Sequence, residues 1–256
     1  MKIVVCIKQV PDSEAKIVNN NGDVSWGDSP LVINPFDEYA VEAGLQQKEI
    51  TGGELTALCI GPESARDALK HALAMGADNA VLVSDPALDV IDSQAAASIL
   101  AAAIKKIGDV DLVIFGRQTI DTSTGLTTAQ TARVLGWPML ALAGSIHVSG
   151  DKVTVERVIE EGKQIVSAKM PAVLSVVQSI GEPRYPSFMG IRKASKAVIP
   201  QWDLAEVGTS VMPSSVKRIE LVNPPSRTAA CEIINSSSPE EIADLLVEKI
   251  LSEKVL

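Results

Sequence analysis

Cysteine is scarce in this sequence: Cys6, Cys59 and Cys231 are the only three. They lie far apart and mostly in apolar runs, which argues against a disulfide framework and against a thiolate metal site. Long apolar runs are missing as well. Each is broken by a charge, Gly or Pro well before the roughly 18 residues of a membrane span, and Met1-Lys2 leads into "IVVCI" without a cleavage signal. No membrane insertion is expected, and a reducing cytoplasm fits best. Positive charge is also in deficit, 23 Lys and Arg against 32 Asp and Glu, for a net charge of -9. Such a surface repels nucleic acid and anionic lipid, so any phosphate the protein binds must be held locally. The chain has neither GxGxxG nor GxxxxGK[ST], the usual dinucleotide and P-loop fingerprints. GxSxG, HExxH and a Cys/His pairing are absent too, and His71, in a helix pattern, and His147, in a strand pattern, read as structural or solvent-facing. "ERVIEE" gathers carboxylates, but strand alternation sends them to different faces, as on a solvated edge. These absences point to a carrier, a sensor or a subunit.

What is present is a chain of 256 residues, 46% of them hydrophobic, enough for one large core plus an appendage. "KIVVCIKQV", "LTALCIG", "AVLVSD" and "DLVIFG" read as four strands. Between and after them, "FDEYAVEAGLQQKE", "SARDALKHALAMG", "DSQAAASILAAAIKKIG" and "TAQTARVLG" read as helices. Asn34-Pro35 offers an N-cap and a first-turn proline, Asp92 or Ser93 another cap, and Gly76 and Gly108 the stops. Strand and helix alternating at short spacing predict right-handed crossovers and a doubly wound, mostly parallel α/β sheet. From Ser145 to Ser179 the period becomes two, with turn signals at Gly150-Asp151 and Gly162, which predicts an antiparallel addition. After Gly181 the order loosens into an extended arm or interaction loop. The arm ends in a short amphipathic helix from Pro239, with Ile242, Leu245, Leu246, Lys249 and Ile250 at helical spacing. Two domains are expected, an α/β nucleotide-binding domain at 1–180 and a recognition loop with a C-terminal arm at 181–256.

In a doubly wound sheet ligands sit beyond the carboxyl ends of the strands where the winding reverses, commonly between the first strand and the fourth in sequence. Those ends are "CIKQVPD" and "IFGRQTIDTSTG". The second is a polar loop running into a helix near Thr127, so main-chain N–H groups, the helix dipole and several hydroxyls point to a phosphate site. A set of Ser and Thr caps at an ordinary helix start is the alternative. A second stretch, "RYPSFMGIRKASK", carries Arg184, Arg192, Lys193 and Lys196 in a window without acids, with Phe188 and Met189 at its middle. An apolar anchor ringed by cations suits a transient docking site.

"NPFDEYAVEAGLQQKE", "ALAMGADNAVLV", "GRQTID", "VTVERVIEEGKQIVSAKMPAVLSV", "EPRYPSFMGIRKASK" and "NPPSRTA", in this order, resemble the β subunit of electron transfer flavoproteins over residues 1 to about 230. The resemblance implies an adenine-nucleotide-hydrolase-like fold and a heterodimer with an α subunit. In that heterodimer an FAD of the α subunit takes electrons from acyl-CoA or related dehydrogenases and passes them to a membrane or other acceptor, the β subunit being a carrier subunit rather than an enzyme. The β subunit itself would hold AMP or, in electron-bifurcating members, a second FAD. Carried over, Cys6, Lys8, Asn34, Gly116, Asp121, Thr124, Gly125, Leu126 and Thr127 become nucleotide neighbours, and Phe36 approaches the α-bound flavin. Arg184, Tyr185, Phe188, Met189, Arg192, Lys193 and Lys196 fall in the family's recognition loop, with Phe188 as the expected anchor. Thr122, Ser123 and Leu126 stand where the family usually carries acids and a Gln, and the nucleotide remains AMP or FAD. A stand-alone adenine-nucleotide-binding regulator of the stress-protein type shares the architecture and is the alternative reading. An enzyme acting on an adenylated substrate would need a general base near Asp121, and the sequence supplies none.

Overall fold

β1 (Lys2–Ile7) is apolar along its length and buried from Ile3 onward, which only a central strand covered on both faces permits. The structure, a computed structural model, describes residues 1–20, 22–88, 91–211, 214, 216–217, 219–223 and 231–253. In chain order β1 is followed by β2 (Gln9–Pro11), β3 (Val18–Asn20), β4 (Asp23–Ser25), β5 (Leu31–Ile33) and α1 (Pro35–Thr51). Then come β6 (Glu54–Ile60), α2 (Arg66–Met75), β7 (Asn79–Val83), α3 (Ser93–Ile107), β8 (Leu112–Gly116) and α4 (Thr127–Leu135). β9 (Met139–Ser149), β10 (Lys152–Ile159), β11 (Gly162–Lys169), β12 (Ala172–Val176), α5 (Phe188–Ala194), β13 (Gln201–Trp202) and α6 (Pro239–Ser252) complete it.

Nine strands form the main sheet in the order β11-β10-β9-β12-β8-β1-β6-β7-β13. Every pair from β9 through β12 to β13 is parallel, while β9, β10 and β11 form an antiparallel meander. α1 and α2 cover one face, burying Val41, Leu45, Leu69 and Met75 against Ile3, Val5 and Leu55. α3 and α4 cover the other, with Ile99, Ile104 and Leu135 against Val4, Leu58 and Val113. This is the doubly wound α/β architecture expected, and β1 lies between β6 and β8, so the winding reverses beside β1.

Three details depart from the sequence-based reading. β12 is not part of the antiparallel addition but a parallel strand wedged between β9 and β8. Its five residues, "AVLSV", are all buried, as befits an interior strand rather than a half-solvated one. The first strand, read through Val10, ends at Ile7, and Gln9–Pro11 is a separate strand paired with β5, while β3 pairs with β4 in a second small ladder; β3, β4 and β5 were left unassigned by the sequence. Finally, chain contacts divide the protein into Met1–Glu220 and Leu221–Leu256, so the 180/181 division is not where the contacts break. The reason is packing: α5 seats on α2, and β13 pairs with β7 to close the sheet edge. Residues 224–230, which hold most of the "NPPSRTA" stretch, lie outside the described residues.

In the second unit α6 is capped by the Ser238 hydroxyl, which accepts from the Glu241 N–H at 3.2 Å, with Pro239 in its first turn. None of its residues is buried, and Leu245, Leu246, Val247 and Leu251 are exposed.

Candidate functional site

The parallel register sets Cys6 of β1 beside Phe115 of β8, so the chain leaves both strands at the same level and the two exits form one crevice. Two residues of the first turn of α1 organise it. Asn34 is fully buried and occupies the N-cap position of α1, yet its side chain does not cap the helix. Instead Nδ2 donates to the Gln118 carbonyl at 2.9 Å and Oδ1 accepts the Ile120 N–H at 3.2 Å. The Asn34 N–H itself donates to the Lys8 carbonyl at 2.8 Å. A single carboxamide thus holds the loop after β8 against the chain leaving β1.

Asp37 does the same one turn on. Its Oδ2 accepts the Lys8 N–H at 2.8 Å, and the Gly116 N–H also bonds to this carboxyl. Gly116 has no alternative: a Cβ there would stand 2.5 Å from both Asp37 Oδ1 and the Phe36 carbonyl oxygen. Burial pushes the Asp37 carboxyl up to about 7, against the lowering effect of the N–H donors and Lys8. Across the crevice the Lys8 ammonium pairs with Asp121 Oδ2 at 2.5 Å. Partial burial alone would raise the Asp121 carboxyl, but the hydrogen bonds from Lys8 and Thr119 and the Lys8 charge together hold the group below its ordinary value. Beyond Asp121 the loop braces itself, with the Thr119 and Thr122 hydroxyls 2.9 Å apart and the Ser123 N–H on the Thr119 carbonyl at 2.9 Å. Gly125 takes φ +61°, a left-handed conformation that Gly adopts without strain, and the chain enters α4. The cap position is Leu126, which gives α4 no side-chain acceptor, so its leading N–H groups remain available to an anion.

Lys8, Asn34, Gly116 and Asp121 are therefore brought together, and Thr124, Gly125, Leu126 and Thr127 continue the same loop into α4. Cys6 differs from its neighbours. Its thiol is buried within the apolar cluster of Val4, Leu58 and Val81, and burial and the nearby Asp37 hold it well above the ordinary thiol range. Only its main chain can serve a ligand. Phe36 is half-buried in the first turn of α1, its carbonyl against Gly116. Asp37, Gln9 and Ser64 were not anticipated. Gln9 and Ser64 brace the exit of β1 against the exit of β6 through two hydrogen bonds, of 2.9 and 3.0 Å. Of the three only Asp37 carries a sequence signal, as an acid in the first turn of a helix, where it suits the helix dipole.

The second stretch is not an irregular loop but the helix α5. Ser187 caps it by accepting the Gly190 N–H at 2.9 Å. Gly190 rests on α2 so closely that a Cβ would stand 2.3 Å from the Ala74 carbonyl oxygen, and Ala194 is buried. Its outer side presents Phe188 (81% exposed), Met189 and Ile191, preceded by Tyr185 (92% exposed). Arg192, Lys193 and Lys196 are exposed beside them. Arg184 stands apart from this set. Its guanidinium donates to Glu42 at 2.8 and 3.0 Å and to Glu49 at 2.5 Å, and its main-chain N–H donates to Glu42 as well. It secures the segment before α5 to α1 rather than facing outward.

Among the described residues no group of His, Cys, Asp and Glu could hold a metal ion, and no helix is long and apolar enough to cross a membrane. His71 pairs with Glu38 at 2.9 Å on the surface, and His147 is exposed.

Fold and crevice define a doubly wound α/β protein whose polar loop lies at the switch point and owes nothing to a glycine fingerprint. The family model described as the electron transfer flavoprotein domain matches residues 27–207. The chain is 36% identical to the electron transfer flavoprotein subunit beta of Megasphaera elsdenii, over the full length of both chains. It is 35% identical to the caffeyl-CoA reductase-Etf complex subunit CarD of Acetobacterium woodii and 32% to the acryloyl-CoA reductase electron transfer subunit gamma of Anaerotignum propionicum, again over both full lengths. The chain belongs to the electron transfer flavoprotein family, among its beta subunits. Its role in that family is electron transfer, as a carrier subunit rather than an enzyme.

Proposed function

We propose that this chain pairs with an electron transfer flavoprotein α subunit and that its crevice holds AMP or a second FAD. The observation that carries the reading is the crevice itself, where Asn34, Asp37 and the Lys8–Asp121 pair fix a hydroxyl-rich loop just ahead of uncapped helix N–H groups. Those donors suit a phosphate ester, which AMP and FAD both present. Lys8, the hydroxyls of Ser123 and Thr124 and the main chain of Thr127 would hold it. FAD, when bound, supplies reversible electron storage; AMP supplies none.

In this reading Phe36 approaches the flavin of the α subunit, electrons arrive from acyl-CoA or related dehydrogenases and leave for a membrane or other acceptor, and α5 is the docking element. Phe188 is its anchor, Tyr185 and Met189 flank it, and Arg192, Lys193 and Lys196 form the charged rim. The names of the Acetobacterium and Anaerotignum relatives, each attached to an acyl-CoA-type reductase, support a partner of this kind. The buried free thiols of Cys6 and Cys59 suit a reducing cytoplasm.

Co-expression with a cognate α subunit tests the proposal. A yellow heterodimer that releases two FAD on extraction supports a bifurcating role, and one releasing FAD and AMP supports a simple carrier. A colourless homodimer holding adenine nucleotide would instead favour a stand-alone regulator. A heterodimer whose β subunit holds no nucleotide would remove the crevice assignment.

A further inference from the structure

Among the described residues eight polar or charged ones are buried, two of them carboxylates, Asp37 and Glu42. Glu42 is accounted for by the Arg184 guanidinium. Asp37 has no such partner: it is 5% exposed, and the nearest ammonium, that of Lys8, pairs with Asp121. A buried carboxylate met only by neutral donors is costly, and an Asn of the same shape would avoid the burial of charge. What Asn cannot do is accept on both terminal atoms. Asp37 takes the Lys8 N–H that leaves β1 on Oδ2, the Gly116 N–H that ends β8 bonds to the same carboxyl, and Oδ1 lies beside Gly116. These are the two strand exits whose separation sets the width of the crevice. From them Lys8 reaches Asp121 and the loop continues to α4.

We propose that Asp37 is a positioning residue: its carboxylate joins the Lys8 and Gly116 main chains and so sets the backbone from which the phosphate of an adenine nucleotide is held. This deepens the crevice reading given above and rests on it. Burial places the Asp37 carboxyl at about 7, so the joint is fully charged only above neutrality. The other ionisable groups facing it are the Cys6 thiol and Lys8 of the β1 end and the Cys59 thiol of β6. Burial raises both thiols, that of Cys59 to about 12, so both are neutral across the physiological range.

The test compares wild type, Asp37→Asn and Asp37→Ala as assembled heterodimers. AMP affinity is measured by calorimetry after removal of bound nucleotide. Hydrogen exchange by mass spectrometry follows peptides covering Lys8 and Gly116, and melting is recorded at pH 8. Both variants should bind AMP at least tenfold more weakly and exchange those peptides at least tenfold faster, while Asp37→Asn melts within about 3 °C of wild type or above it. An Asp37→Asn protein that binds and exchanges like wild type would show that shape alone matters and overturn the proposal. So would affinity lost strictly in proportion to stability in both variants. If wild type itself binds no AMP or FAD, the crevice reading fails, and the exchange of the two peptides still decides whether the carboxylate joins them. Should the variants fail to fold, wild type suffices: a carboxyl raised in the closed joint favours its neutral form there, so protection of the two peptides, corrected for intrinsic exchange, should fall as pH rises toward 7 and level off above it. Constant protection would refute the idea.

Discussion

Replacing Arg184 by Ala separates two roles that the sequence could not tell apart. A partner-facing arginine would be lost at no expense to the fold; the structure assigns the side chain to Glu42 and Glu49 instead. Removing one partner of a buried ion pair costs about 3–5 kcal/mol. Here the loss is smaller, because Arg184 is about one-third exposed (36%) while Glu42 is almost fully covered (6%). The Glu42 carboxylate also keeps the Gln46 amide at 3.1 Å and the residue-184 N–H at 3.2 Å. A cost of about 2 kcal/mol is therefore expected, which lowers the melting temperature of a domain this size by roughly 4–8 °C. The sign of the pH dependence follows from Glu42. Burial pushes its carboxyl up, but the Arg184 hydrogen bonds and charge, with the Gln46 amide, together hold it below the ordinary value. A depressed folded-state value gives stability that is present above the unfolded value, about 4.3, and is lost as pH falls through the folded one. The gap between wild type and Arg184→Ala should be full at pH 7 and close on acidification below about 4. Thermal melts followed by circular dichroism over that range, repeated with Glu42→Gln, read it directly. Equal melting temperatures at pH 7, or a gap indifferent to pH, would return Arg184 to the docking surface.

Phe188→Ala should leave flavin content and melting temperature nearly unchanged, at under about 0.5 kcal/mol, while electron exchange with an acyl-CoA dehydrogenase falls tenfold to a hundredfold, as a hot-spot truncation of about 2 kcal/mol implies; a sharp drop in melting temperature with steady kinetics would make it a core residue. Charge reversal at Arg192 and Lys193 should slow association in a salt-dependent manner, since rim charges act mainly on encounter, and stopped-flow rates that do not change with ionic strength would exclude that role. Gly125→Val places a β-branched residue at φ +61°, where strain of about 1–2 kcal/mol is expected, and extraction of the purified protein should then yield no bound nucleotide. Deleting 239–256 removes a helix with no buried residue of its own, and should weaken assembly with the α subunit in sedimentation analysis while the Met1–Glu220 unit melts as before.

The central part of the fold was legible because its physics is local. β1, α3 and β8 declare themselves through runs of buried apolar residues, and the caps at Asp92, Gly76 and Gly108 lie where the sequence sets them. The crevice was legible as a place, since ligands of a doubly wound sheet sit where the winding reverses and the polar loop after β8 lies there. What could not be read depends on partners distant in sequence. α5 has seven residues, too few for a period, and exists because Gly190 fits the Ala74 carbonyl. β13 is two residues long and is a strand only because β7 has a free edge there. The carboxamide of Asn34 looks like a cap in sequence, but residues 84 and 86 positions away take its bonds. Arg184 looks like part of a basic cluster until the acids of α1 arrive beside it.

The strand order also has a consequence during synthesis. β1 emerges first, gains β6 on one side, and finds its other neighbour only when residues 112–116 appear. β8 in turn waits for β12 at residues 172–176. Any nascent chain or proteolytic fragment ending before residue 112 carries one bare edge of an apolar central strand, a template for pairing with other chains. α5 comes later still, seated on α2 between the arrival of β12 and of β13. A ribosome-bound or truncated subunit therefore cannot present α5 before the sheet behind it is nearly complete, and in the docking role proposed for α5 unfinished copies would not compete for a partner.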